Sequence, residues 1–142
     1  MPTRTGEAEW KGDVQHGSGV MKVGSGAFEG HYGLNTRMGD EKGTNPEELI
    51  GAAHAGCFSM ALSAALTKAG FPPDSIHTTA KVHFDQKDGN WTIHTIELST
   101  EAEVPKITAE AFEEQAQGAK KNCPVSRALA GVPEITLDAK LI

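Results

Sequence analysis

The two cysteines of this 142-residue chain, Cys57 and Cys123, are the side chains best able to do covalent chemistry, and they stand 66 positions apart. From spacing alone the pair admits several readings. Unpaired cysteines are among the most buried residue types and pack as small hydrophobes. A zinc site has little support, because there is no C-x-x-C pair and His54, three residues before Cys57, is the one ligand that helical spacing supplies. The same His54 could act as base to a nucleophilic Cys57, although one histidine of six at that spacing is weak support. Thiol redox chemistry is the remaining reading, and it needs a thiolate. An apolar helix interior disfavours the charged form, so a cation has to be recruited. Arg37, in a loop shortly before the segment that carries Cys57, is the candidate.

The stretch from Thr44 to Gly70 must position Cys57. Asn45 can cap a helix that begins at Pro46, with Glu48 three residues after the cap, and no breaker occurs before Gly70 and Phe71-Pro72-Pro73. Between Ile50 and Thr67 there is no Asp, Glu, Lys or Arg, so the helix is apolar all round and has to be covered on most sides. Its length approaches that of a membrane span. His54, Ser59 and Ser63 interrupt it, however, and no second apolar segment or flanking basic cluster accompanies it. Cys123 follows a segment, Ala109 to Lys121, with Phe112, Ala116 and Ala119 at helical spacing. Continued helical phase turns Cys123 to the same inward face, and Pro124 suits the first position of a short helix through Leu129.

The rest of the chain reads as strands. Weak alternation from Thr5 to Trp10 and from Gly17 to Val23 predicts a hairpin, Ser25 to Gly33 a third short strand, and Leu34 to Gly43 a loop. Ser75 to Asp85 alternates cleanly, Asp88-Gly89-Asn90 signals a turn, and Trp91 to Val104 shifts phase between Ile93 and Ile96, which predicts a bulge. Glu134 to Ile142 is a final strand. Strands at both ends with helices between them give an α+β class, and one small sheet cannot cover a helix apolar on all sides, so a homodimer is the economical expectation.

Length predicts a single domain over residues 1–142, and 38% hydrophobic with 23% charged residues is ordinary for a globular protein. A net charge of −6, with no basic run longer than Lys120-Lys121, argues against nucleic acid or an acidic membrane as partner. The N-terminal MPTRTGEAEW lacks the apolar core of a signal peptide, so a cytoplasmic, reducing location is expected, where a permanent structural disulfide is out of place.

The runs NTRMGDEKGTNPEELIGAAHAGCFSMAL (Asn35 to Leu62) and KNCPVSRAL (Lys121 to Leu129), with EWKGD and EITLD near the two ends, resemble the osmotically inducible protein C (OsmC) family, which is related to the organic hydroperoxide resistance proteins. The likeness spans nearly the whole chain. Gly56 is the one departure, standing where alanine is expected. The resemblance implies an OsmC-like fold in which antiparallel sheets wrap around long central helices in an intertwined homodimer. It implies a thiol peroxidase acting on organic hydroperoxides, and on hydrogen peroxide less efficiently, in oxidative and osmotic stress defence. Cys57 would be the peroxidatic thiolate and Cys123 the resolving thiol, with Arg37 and Glu47 activating Cys57 and orienting the peroxide. No metal, haem, flavin or other cofactor is implied, and the reductant would be a dithiol, with a lipoylated protein as the family-level candidate. The alternative from a different class is a dimeric carrier of a small hydrophobic ligand whose cysteines are merely packed.

Overall fold

The computed structural model describes all of residues 1–142, and the chain forms two compact units, Met1–Leu49 and Ile50–Ile142. The first unit is a three-stranded antiparallel meander of β1 (Gly6–Lys11), β2 (Ser18–Val23) and β3 (Glu29–Tyr32), followed by α1 (Leu34–Met38). Trp10 and Tyr32 pack as tilted rings with centroids 5.5 Å apart across β2, where Gly19 lies between them. A Cβ at Gly19 would come within 2.5 Å of the Tyr32 ring and 2.8 Å of the Trp10 ring, so the aromatic pair requires a glycine there.

The Leu34–Gly43 stretch, expected as a loop, contains the helical turn α1. Thr36 explains it. Its hydroxyl accepts from the Gly33 N–H (2.8 Å) and donates to the Gly33 carbonyl (2.9 Å), closing one turn with a side chain where composition alone reads as loop. The Asn45 cap is present, with Oδ1 accepting from the Glu48 N–H at 2.8 Å. The same side chain donates through Nδ2 to the Thr36 carbonyl at 3.1 Å, so one asparagine both starts the long helix and ties it to α1.

That helix, α2 (Pro46–Lys68), starts in the first unit and continues through the second, which also holds β4 (Ser75–Lys87), β5 (Asn90–Glu103), α3 (Ala109–Asn122), α4 (Pro124–Ala128) and β6 (Glu134–Leu141). Strand order is β4-β5-β6. Asp88 and Gly89, both at positive φ, make the tight β4–β5 connection that Asp-Gly-Asn signals. The phase shift expected between Ile93 and Ile96 is a bulge at His94: Thr95 pairs with His83 and Ile93 with Phe84.

The expectation of antiparallel sheets holds for the first sheet and not for the second. The second sheet is mixed, because β6 runs parallel to β5. The chain leaves β5, passes through α3 and α4, and returns in the same direction, as a helical crossover permits and a tight hairpin does not.

Phe58, Leu62 and Leu66 of α2, all fully buried, pack with Leu98 and Ala102 of β5, Val104 and Ile107 beyond it, and Phe112, Ala116 and Ala119 of α3. These side chains recur on α2 at i and i+4, one stripe of the helix. The opposite face holds Ala53, Gly56, Met60 and Ala64, exposed in the single chain, with Met60 at 77%. The expectation that α2 is covered on most sides is thus met on one face only within one chain. By length and apolarity α2 could cross a membrane, yet it is the helix that supplies this core.

Candidate active site

Two pairs of predicted residues come together. In the first unit, α1 carries Arg37 and the first turn of α2 carries Glu47, and the Asn45 clasp holds those turns side by side. Arg37 donates Nε–H to Glu47 Oε1 at 2.9 Å and Nη2–H to Oε2 at 2.8 Å, a bidentate fork that fixes the guanidinium in one plane. Glu47 is buried and Arg37 exposed. The Glu47 bonds push the Arg37 pKa further up, so the cation is permanent.

In the second unit, Cys57 and Cys123 meet. Helical phase from Phe112 through Ala116 and Ala119 turns Cys123 inward, its N–H bonds the Ala119 carbonyl, and Pro124 starts α4 directly after it. Cys123 is fully buried and Cys57 half-buried, both are free thiols, and their sulfurs are 2.9 Å apart. Closing that gap to a disulfide's length of about 2.05 Å needs less than an ångström of sulfur movement.

Within one chain, burial first and then the Cys123 hydrogen bond push the Cys57 thiol up, against the Val125 N–H. Burial also opposes the Cys123 thiolate. There the hydrogen bonds from Cys57, from the Ser126 N–H and hydroxyl, and from the Val125 N–H outweigh it, and the net direction is down. The two thiols interact strongly at such a distance, so these directions describe the pair, and a cation approaching on one side shifts the balance of charge toward that sulfur. In one chain that balance falls to Cys123.

His54 stands one helical turn before Cys57, the spacing of a candidate base. Its Nε2 lies instead 2.6 Å from Ser126 Oγ, its Nδ1 has no partner, and the ring is fully buried. Ser126 is the site residue that the sequence reading missed. The available signal was its place three residues after Cys123 at the start of a proline-initiated helix, where a hydroxyl can turn back to the preceding side chain. Burial depresses the His54 pKa. The unfolded chain therefore takes up a proton near histidine's ordinary value of 6.5 while the folded chain resists it, so the fold is destabilised as pH falls below that value. Wild-type protein should lose more of its urea midpoint between pH 7.5 and 5.5 than a His54→Gln variant, and equal losses would contradict this linkage.

The OsmC-like protein family model matches residues 39–138. The chain is 52% identical over 139 residues to Peroxiredoxin OsmC of Escherichia coli (strain K12), spanning 97% of this chain and 96% of that protein. It is 30% identical over 108 residues to Organic hydroperoxide resistance protein OhrB of Bacillus subtilis (strain 168), spanning 75% and 76%. Among solved structures, an OsmC-like protein of unknown function from Vibrio cholerae superposes with a TM-score of 0.79 at 15% identity, covering 98% of this chain and 99% of that one. With a family match over most of its length, close full-length relatives and the same α+β fold, this chain belongs to the OsmC-like protein family.

Proposed function

We propose that this protein is a cysteine-based thiol peroxidase that reduces organic hydroperoxides, with Cys57 as the attacking thiolate and Cys123 as the resolving thiol. The observation that carries the reading is the 2.9 Å contact between two free thiols, one of them half-exposed and the other buried behind it. The names of the relatives, a peroxiredoxin and an organic hydroperoxide resistance protein, support it. The Cys57 thiolate attacks the terminal oxygen of R–O–O–H. The O–O bond breaks, the sulfur becomes a sulfenic acid, and the departing alkoxide takes a proton to become an alcohol. Cys123 then attacks the Cys57 sulfur, the S–O bond breaks, and a disulfide and water result. A dithiol, with a lipoylated protein as the candidate class, returns both thiols. Hydrogen peroxide is the poorer substrate in this reading, the setting is cytoplasmic stress defence, and no metal or cofactor takes part.

The functional unit in this proposal is a single domain per chain in a two-fold dimer. The face of Ala53, Gly56, Met60 and Ala64 is apolar, built of small side chains and uncovered in one chain, which suits the same face of a second copy. The continuity of α2 adds a second argument. Glu47 precedes Cys57 by ten residues on one unbroken helix, about 15 Å of axial rise, which no glutamate side chain spans. The fixed Arg37–Glu47 fork therefore serves the Cys57 of the partner chain, where it draws the shared charge from Cys123 to Cys57. Reduced protein mixed with cumene hydroperoxide and a dithiol should consume the peroxide catalytically. If it does not, and binds apolar ligands instead, the carrier reading replaces this one.

A further inference from the structure

We infer that His54 and Ser126 form a latch between α2 and α4 that keeps Cys123 within closing distance of Cys57. The inference rests on the peroxidase reading above and concerns how its two thiols are held. Two rungs join the same helical segments. In one, the Cys57 and Cys123 sulfurs are 2.9 Å apart; in the other, His54 Nε2 lies 2.6 Å from Ser126 Oγ. His54 precedes Cys57 by three residues and Ser126 follows Cys123 by three, so one helical turn separates the rungs on each side. The way α4 is anchored gives the second rung its importance. A helix of five residues has little stability of its own, and α4 adds no side chain to the apolar core or to the half-buried residues packed around that core. Its one buried side chain is Ser126, and the partner of Ser126 is the fully buried His54. A polar contact therefore fixes α4 where apolar packing fixes the other elements.

Cys123 sits at the joint. Before it, α3 is pinned by Phe112, Ala116 and Ala119, and at Cys123 the backbone leaves the helical region with φ −55° and ψ 126°. Helix ends fray unless something holds them, and here the latch holds the turn that follows. The proton of the latch can be assigned. Nδ1 of His54 is buried without a partner, and a proton there would be an orphaned donor, so the proton is on Nε2 and donates to Ser126 Oγ. His54 and Ser126 are positioning residues that act on Cys123 through its place. In the reduced protein only molecules with the latch shut can close the disulfide, so the apparent closure constant is the intrinsic one multiplied by the latched fraction. In the oxidised protein the disulfide itself ties the two segments. Loss of the latch thus loosens the reduced form and makes the disulfide easier to reduce.

The test is the equilibrium of the full-length protein with reduced and oxidised dithiothreitol. Two protein thiols give two electrons and two protons to the cyclic disulfide of the reagent, and the Cys57–Cys123 disulfide is counted by mass spectrometry after acid quench at a series of reagent ratios. Ser126→Ala and His54→Leu should each lower the equilibrium constant for disulfide formation by about tenfold, the scale of one buried hydrogen bond, or about 30 mV in potential. The double variant should lose no more than either single one, because removing one partner already opens the latch. His54→Gln, whose amide can donate from nearly the place of Nε2, and Ser126→Thr, which keeps the hydroxyl, should recover most of the loss. A Ser126→Ala protein with the wild-type equilibrium would overturn the inference. So would losses that add in the double variant, or a His54→Gln protein no better than His54→Leu, since independent packing defects behave in that way. No peroxide enters this equilibrium. Consumption of cumene hydroperoxide by the wild type is measured apart from it, so failure of the peroxidase reading and failure of the latch are distinguishable.

Discussion

Cys57→Ser should abolish peroxide consumption, with turnover falling by about 10⁴-fold or more, the scale expected when a nucleophile is removed. A serine hydroxyl keeps the size of the side chain but does not ionise near neutral pH. The helix that holds it is anchored by Phe58, Leu62 and Leu66, not by residue 57, so folding should survive the change. The partner variant Cys123→Ser should behave differently. It should consume peroxide once, stop, and with more peroxide carry Cys57 on to sulfinic acid, because no second sulfur lies 2.9 Å away to trap the sulfenic acid. Mass increments on the tryptic peptide containing Cys57 distinguish the two outcomes. A Cys57→Ser protein that still turns over would move the nucleophile to Cys123, the sulfur that one chain by itself favours as thiolate.

The second large effect concerns where the cation comes from. Arg37→Met should slow Cys57 alkylation and shift its pH profile upward. Arg37→Lys should recover little, because a point charge cannot hold both carboxylate oxygens of Glu47 as the fork does at 2.8 and 2.9 Å. Chains carrying Cys57→Ser and chains carrying Glu47→Gln, each expected to be inactive on its own, can be co-expressed with different tags and the proposed heterodimer isolated. Service from the partner chain pairs the intact Cys57 with the intact Glu47 in one of two sites, so the heterodimer should return about half the wild-type activity. A heterodimer as inactive as its parents would mean that each chain completes its own site.

Local signals in the sequence carried most of the fold. Asn45-Pro46 set the start of α2, Asp88-Gly89-Asn90 the tight turn, and the broken alternation at Ile93 to Ile96 the bulge. What stayed hidden depended on contacts between distant segments. The direction of β6 is fixed by the crossover through α3 and α4, and alternation along a strand reads the same for either direction. The single turn α1 hid in a stretch rich in Gly, Asn and Asp because one threonine hydroxyl closes it. At the site, Cys57, Cys123 and Arg37 were visible as residue types that thiol chemistry needs, whereas Glu47 came only from family resemblance. The 72-residue separation of His54 and Ser126 left no periodic trace, so their pairing emerged only from the packing of α2 against α4.

Cys57 and Cys123 are expected to work as one redox pair within a chain. Reduced wild-type protein treated with one equivalent of an organic hydroperoxide, digested without reduction and analysed by mass spectrometry tests it most directly. A single intrachain cross-link between the Cys57 and Cys123 peptides is expected, formed in proportion to the peroxide consumed and removed by a dithiol. Direct passage of Cys57 to sulfinic acid, or cross-links only between chains, would contradict it.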